Sequence, residues 1–149
     1  MKDRRELYPY FASLEISRLF LLLYRHFPNY PADSGKTNSS DRIPADVKPM
    51  QKALRYIEEN YMQDISLSQI SEESNLSRFY FSRLFRKTTG MNFNNYLNRF
   101  RIEKAEEKIR TTRKPIIEIA YETGFSSIRT FNRSFRSIME CNPQSLRLK

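Results

Sequence analysis

The sequence predicts an all-α chain: two helix-turn-helix subdomains (homeodomain-like three-helical lobes) bridged by a long central helix and preceded by one separate helix. Three observations predict it. Only 3 Gly and 7 Pro occur in 149 residues, while Glu, Lys, Arg, Leu and Ile come in long runs, a composition that favours helix over strand. Apolar residues recur mainly at spacings of three and four, the period of an amphipathic helix. A pair of short helices with a tight turn between them, clearest from Ser68 to Gly90, returns about fifty residues later.

Composition bounds the function. With 39% hydrophobic and 29% charged residues and a mean hydropathy of −0.70, the chain can bury a modest core. Its longest apolar run, Leu19 to Tyr24, is far too short to cross a membrane. The net charge is +9; residues before Ile43 hold 7 basic and 5 acidic side chains, those after it 19 and 12. The excess therefore sits in the C-terminal part and points to a polyanion partner. A membrane surface fits less well, because no basic helix here has an apolar opposite face free of other duties. Cys141 is the single cysteine, which excludes an internal disulfide framework and a Cys-based zinc site. The start, MKDRRELYPY, lacks the apolar segment of a secretory signal, so a cytoplasmic protein without cofactor or metal is expected.

Glu6 to Phe27 places Leu7, Phe11, Leu14, Leu19, Leu22 and Leu23 among charges, as a helix would. Two readings stand: a helix packed on the following domain, or, favoured here, the last helix of an upstream domain or a homodimerising helix. The favoured reading rests on residues 28–44, a Pro-, Ser- and Asn-rich linker that separates residues 1–27 from the rest. The main domain is expected over 45–149, with a first lobe at about 45–91, a linker helix at about 92–110 and a second lobe at about 111–149.

Ala45 to Tyr61 carries an apolar stripe of Val47, Met50, Ala53, Leu54 and Ile57. Ser66 is a good N-cap for a short helix to about Ser74. Asn75 stands where the turn needs positive φ, Leu76 plugs the core, and Ser77 caps a helix from Arg78 to Thr88 that Gly90 stops. Asn92 to Arg110 reads as a rod between lobes, with Phe93, Tyr96, Leu97, Phe100, Ile102, Ala105 and Ile109 on one side and Asn95, Arg99, Glu103, Glu106 and Glu107 on the other. Pro115 is suited to a helix start, and Ile116, Ile119 and Ala120 give that helix its apolar face. Gly124 then turns the chain, Phe125 plugs the core, and Ser126 or Ser127 caps a helix to about Ser137. From Pro143 a last short helix closes the second lobe through Leu146.

Overlaying Asn75-Leu76-Ser77 on Gly124-Phe125-Ser126, with one extra residue after the second cap, brings Phe81 onto Phe131, Arg83 onto Arg133, Phe85 onto Phe135 and Arg86 onto Arg136. Any two amphipathic helices share an apolar skeleton, but two shared outward arginines are harder to obtain by chance. On the first helix Phe79, Ser82, Arg83 and Arg86 share a face; on the second Arg129, Asn132, Arg133 and Arg136 do. Arg pairs with guanine in the major groove, Asn with adenine, and Ser reads either base. Arg78, Arg86, Lys87 and Arg136 suit phosphates, as do Ser77 and Ser126 beside free helix-start amides. Phe79 is read either as a thymine-methyl contact or as core, and Ile128 is divided in the same way. Arg83 and Arg133 have a plainer reading as solvated or glutamate-paired side chains.

Residues from about Val47 to Leu148 resemble the DNA-binding domain of the AraC/XylS family of bacterial transcription regulators. FSRLF, TTGM, RIEKA and IAYETGFS carry the resemblance. It implies two lobes on successive major-groove segments of promoter DNA, with Phe79, Ser82, Arg83, Ile128, Arg129, Asn132 and Arg133 at the base-reading positions. It also implies a cytoplasmic, nucleoid-associated protein acting through RNA polymerase or by occlusion. The sequence departs from the family pattern at Asn75 in place of the usual turn Gly, at Ile128-Arg129-Thr130, and at IMECNP where the second recognition helix ends. Two other classes compete. One is a protein-interaction or antagonist module dimerising through residues 6–27. The other is an enzyme using Cys141, which the lack of a His partner disfavours.

Overall fold

The computed structural model describes residues 47–147, so the separate helix and the linker expected upstream lie outside the described residues. Among the described residues there are six α-helices, one 3-10 helix and no strand. They are α1 (Val47–Asn60), α2 (Leu67–Glu73), α3 (Arg78–Thr89), α4 (Phe93–Thr111), α5 (Ile116–Glu122), α6 (Ile128–Met139) and η1 (Pro143–Leu146).

Local chemistry sets the boundaries. Ser66 and Gln69 form a reciprocal capping box at α2: the Gln69 amide donates to Ser66 Oγ (3.2 Å) and the Ser66 amide to Gln69 Oε1 (2.8 Å). Ser77 Oγ accepts from the Tyr80 amide at α3, and Asn92 Oδ1 from the Asn95 amide at α4. Pro115 stands one residue before α5, at its N-cap, with no side-chain bond. Helix α3 ends at Gly90 in the left-handed region (φ 76) and α6 at Glu140 in the same region (φ 56). Each of those caps sends its amide back four residues, to the Arg86 and Arg136 carbonyls respectively, at 3.0 Å. The Glu140 stop therefore has the geometry of the glycine stop, at some conformational cost for a residue with a Cβ.

The core falls into two clusters. The first joins Met50, Ala53, Leu54 and Ile57 of α1 to Ile70, Phe81, Leu84, Phe85 and the first half of α4 through Phe93, Tyr96 and Leu97. Phe85 is its hub, with ring centroids 5.3 Å from Phe81, 6.0 Å from Phe93 and 5.2 Å from Tyr96. The second joins Ile102, Ala105 and Ile109 of α4 to Ile119, Ala120, Phe125, Phe131 and Phe135. Leu146 of η1 packs against it, as the sequence led one to expect.

One expectation about α4 needs correcting. Arg99, on the side opposite the apolar residues, is nevertheless buried (8% exposed), with its Nε 3.5 Å from Glu103. Arg101 is equally buried. The cause is the position of the helix. Near its midpoint α4 passes from one core to the other, so it is covered on more than one side and a single apolar stripe no longer describes it.

Where α4 meets α5, Glu122 accepts from Lys108 Nζ at 2.7 Å and also from Lys114, which lies 3.4 Å from Glu118 as well. Hydrogen bonds from Lys108 and then Lys114 hold the Glu122 carboxyl at a pKa of about 2.

Candidate nucleic-acid interface

The two candidate helices are set by one turn design used twice. In the first, the Asn75 amide donates to the Glu72 carbonyl (2.9 Å) and the Leu76 amide to that of Ser71 (2.9 Å). In the second, the Gly124 amide donates to Tyr121 (3.0 Å) and the Phe125 amide to Ala120 (3.1 Å). Asn75 and Gly124 both take positive φ, 54° and 86°, where Gly is free and Asn tolerated. Ser71 and Ala120, the acceptors, are both buried.

After the turn the copies differ by one residue, which lies elsewhere than the sequence overlay put it. The α6 cap is Ser127, whose Oγ accepts from the Thr130 amide at 3.2 Å. Ser126 is exposed and caps nothing. The extra residue thus lies before the second cap rather than after it. Counting from Ser77 and Ser127, Phe81 still matches Phe131 and Phe85 matches Phe135, and all four are fully buried.

Burying those phenylalanines turns the other side of each helix outward. On α3, Phe79, Ser82, Arg83, Arg86 and Lys87 are all exposed. Phe79 is 73% exposed, so it is not core. The Arg83 guanidinium lies 5.7 Å from the centre of the Phe79 ring, a cation–π contact that pre-orients the arginine. Arg78, at the helix start, donates from Nη1 to Ser68 Oγ at 3.1 Å and so leans back on α2.

On α6, Ile128, Arg129, Asn132, Arg133 and Arg136 line one open hollow of about 610 Å³. Ile128 is half-buried against the second core and also lines the hollow. None of Arg86, Lys87, Arg129, Arg133 and Arg136 is in an ion pair with another described residue. Among the described residues no glutamate pairs with Arg133 or with Arg83, which meets the Phe79 ring.

Sequence reasoning passed over Arg113 and Gln144. They line a second hollow of about 530 Å³ that shares Ile128 and Asn132 with the first. Arg113 follows α4 and Gln144 lies in η1, and no helical period links either residue to α6. Cys141 is half-buried against the second core. Among the described residues no group of three His, Cys, Asp or Glu is placed to hold a metal, and no helix is long and apolar enough to cross a membrane.

Residues 70–149 match the family model described as a helix-turn-helix domain. The chain is similar to the regulatory protein PocR of Salmonella typhimurium, 38% identical over 104 residues, 70% of this chain and 34% of PocR. It is also similar to the transposon Tn10 TetD protein of Escherichia coli, 34% identical over 98 residues, 66% of this chain and 71% of TetD. The chain thus spans about a third of PocR. Among solved structures, a transcriptional regulator with an AraC-type DNA-binding domain from Chromobacterium violaceum superposes with a TM-score of 0.63 at 26% identity, covering 66% of this chain and 88% of that one.

Proposed function

The chain belongs to the helix-turn-helix transcription regulators related to the AraC/XylS family, and from that premise we propose that residues 45–149 form two helix-turn-helix subdomains that read two adjacent major-groove segments of promoter DNA. The observation that carries the reading is the duplicated face. Two helices, each preceded by the same hydrogen-bonded turn and held by a buried Phe-x-x-x-Phe pair, present arginines without ion partners among the described residues.

In this reading α3 and α6 are the recognition helices. Phe79, Ser82 and Arg83 contact bases from the first, and Ile128, Arg129, Asn132 and Arg133 from the second. Arg83 and Arg133 pair with guanine edges, Asn132 suits adenine, and the Phe79 ring and Ile128 suit thymine methyls. Arg78, Arg86, Lys87 and Arg136 take phosphates, with Ser77 at the α3 cap and Ser126 one residue before the α6 cap. Each neutralised phosphate adds about 0.9 to the salt slope of binding, so four cations give roughly 3 to 4. Transcription then responds through contact with RNA polymerase or through occlusion of the promoter, with residues 6–27 as the homodimerising segment.

Selection of bound duplexes from a random pool tests this. Two enriched motifs about one helical turn apart are expected. A single motif reduces α6 to a backbone clamp, and no enrichment over the starting pool refutes the reading and leaves the protein-interaction module.

A further inference from the structure

Each recognition helix is anchored in its own core, so the separation of the two faces depends on what ties those cores together. Helix α4 is one tie, since it sends side chains into both cores. A second tie exists at Arg101. Its Nε donates to the Tyr61 carbonyl and its Nη2 to the Gln63 carbonyl, both at 2.7 Å. Those carbonyls belong to the turn after α1, in the first half of the domain. The same guanidinium lies 5.9 Å from the centre of the Phe125 ring, in the second half.

The turn at Gly124 closes the joint. A Cβ there would lie 2.5 Å from the Tyr61 carbonyl oxygen, 2.9 Å from Arg101 Nε and 3.0 Å from Met62 Cα. Two segments from opposite halves therefore touch backbone to backbone, with Arg101 between them. Tyr61 adds an edge-on contact to Phe100 of α4, ring centres 5.3 Å apart. A buried guanidinium bonded to two carbonyls is a rigid, planar fastener, and each of those bonds is charge-assisted.

We propose that Arg101 is a positioning residue that locks the two recognition helices at one separation and so sets the spacing between base motifs that the protein accepts. The inference rests on the two-helix reading above. Moving one motif by a base pair shifts it about 3.4 Å along the duplex and rotates it by roughly a tenth of a turn, a change a locked pair of helices does not follow.

The test uses the full chain and duplexes bearing both selected motifs at the preferred spacing and at one and two base pairs either side, plus duplexes with one motif. The wild-type chain should favour its spacing by roughly tenfold or more. Arg101→Ala should flatten that preference to within about threefold while single-motif binding changes less than about twofold. Arg101→Lys, able to reach one carbonyl but not both, should fall between. Arg101→Ala with a wild-type spacing preference overturns the inference and leaves the two-helix reading standing; a wild-type chain indifferent to spacing removes both.

A second measurement needs no DNA. Spin labels at positions 88 and 137, in a Cys141→Ser background, should report a narrow distance distribution in the wild type and a broad one in Arg101→Ala. Equal widths overturn the lock. Should Arg101→Ala lose its helical circular dichroism, Arg101→Lys decides: a broadened distribution supports the lock, and a wild-type one overturns it.

Discussion

Replacing Arg133 by Ala tests base reading most directly. Arg133 is exposed on the α6 face, lines the hollow with Asn132 and Arg136, and has no ion pair among the described residues. Truncating it therefore breaks nothing inside the folded chain, and stability should stay within about 0.5 kcal/mol of wild type. What it removes is a forked donor pair, a guanine contact of about 1–3 kcal/mol, or roughly 5- to 150-fold in Kd. That loss should fall on the selected duplex and far less on a random one, so the specificity ratio drops. Arg136→Ala is the control. As a phosphate anchor it should weaken both duplexes alike and lower the salt slope by about 0.9. Fluorescence anisotropy at four salt concentrations, on both duplexes, measures every quantity. If Arg133→Ala weakens random and selected DNA by the same factor, the arginine is a backbone contact and the assignment of bases to α6 is wrong.

Three further outcomes follow from the packing. Phe85→Ala empties the hub of the first core, where Phe81, Phe93 and Tyr96 all meet that ring, and should cost about 3–5 kcal/mol in urea unfolding. A loss under about 1 kcal/mol would contradict the described core. Glu122 has a folded pKa of about 2, depressed below the ordinary 4.5. Its contribution is present above pH 4.5 and lost as the pH falls through 2, so the wild-type melting temperature should fall across that window more steeply than that of Glu122→Gln. Parallel curves would refute the network. Glu140→Gly relieves a left-handed cap at φ 56. Removing a strain of about 1–2 kcal/mol, less the unfolded-state entropy of about 0.4–1 kcal/mol that glycine adds, should raise the melting temperature by a few degrees; a drop would show that Glu140 makes a favourable contact.

Much of the architecture was legible because helix caps, turns and amphipathic stripes act over about four residues. Ser66, Ser77 and Gly90 sit at the helix ends that local chemistry assigns them. The outward positions of Arg83 and Arg133 follow once Phe81, Phe85, Phe131 and Phe135 are known to face inward. Local rules stop where two choices have the same chemistry. Ser126 and Ser127 are equivalent as caps on paper, and only the fold places the extra residue before the second helix rather than inside it. Phe79 suits both core and surface by composition; the tertiary structure leaves it outside, with Arg83 against its ring.

By itself the sequence determined an all-helical domain, a helix-turn-helix stretch that recurs after about fifty residues, its charge, and the side chains that the second helix of each stretch turns outward. Tertiary structure alone decided how those copies are joined. Arg101 reaches carbonyls 40 and 38 residues away, and Gly124 lies against the backbone of Tyr61 and Met62. No periodicity encodes such contacts. The burial of Arg99 and Arg101 exists only after two cores have closed on the middle of one helix, since hydrophobic patterning records which side of a helix faces one core and not where a second core begins.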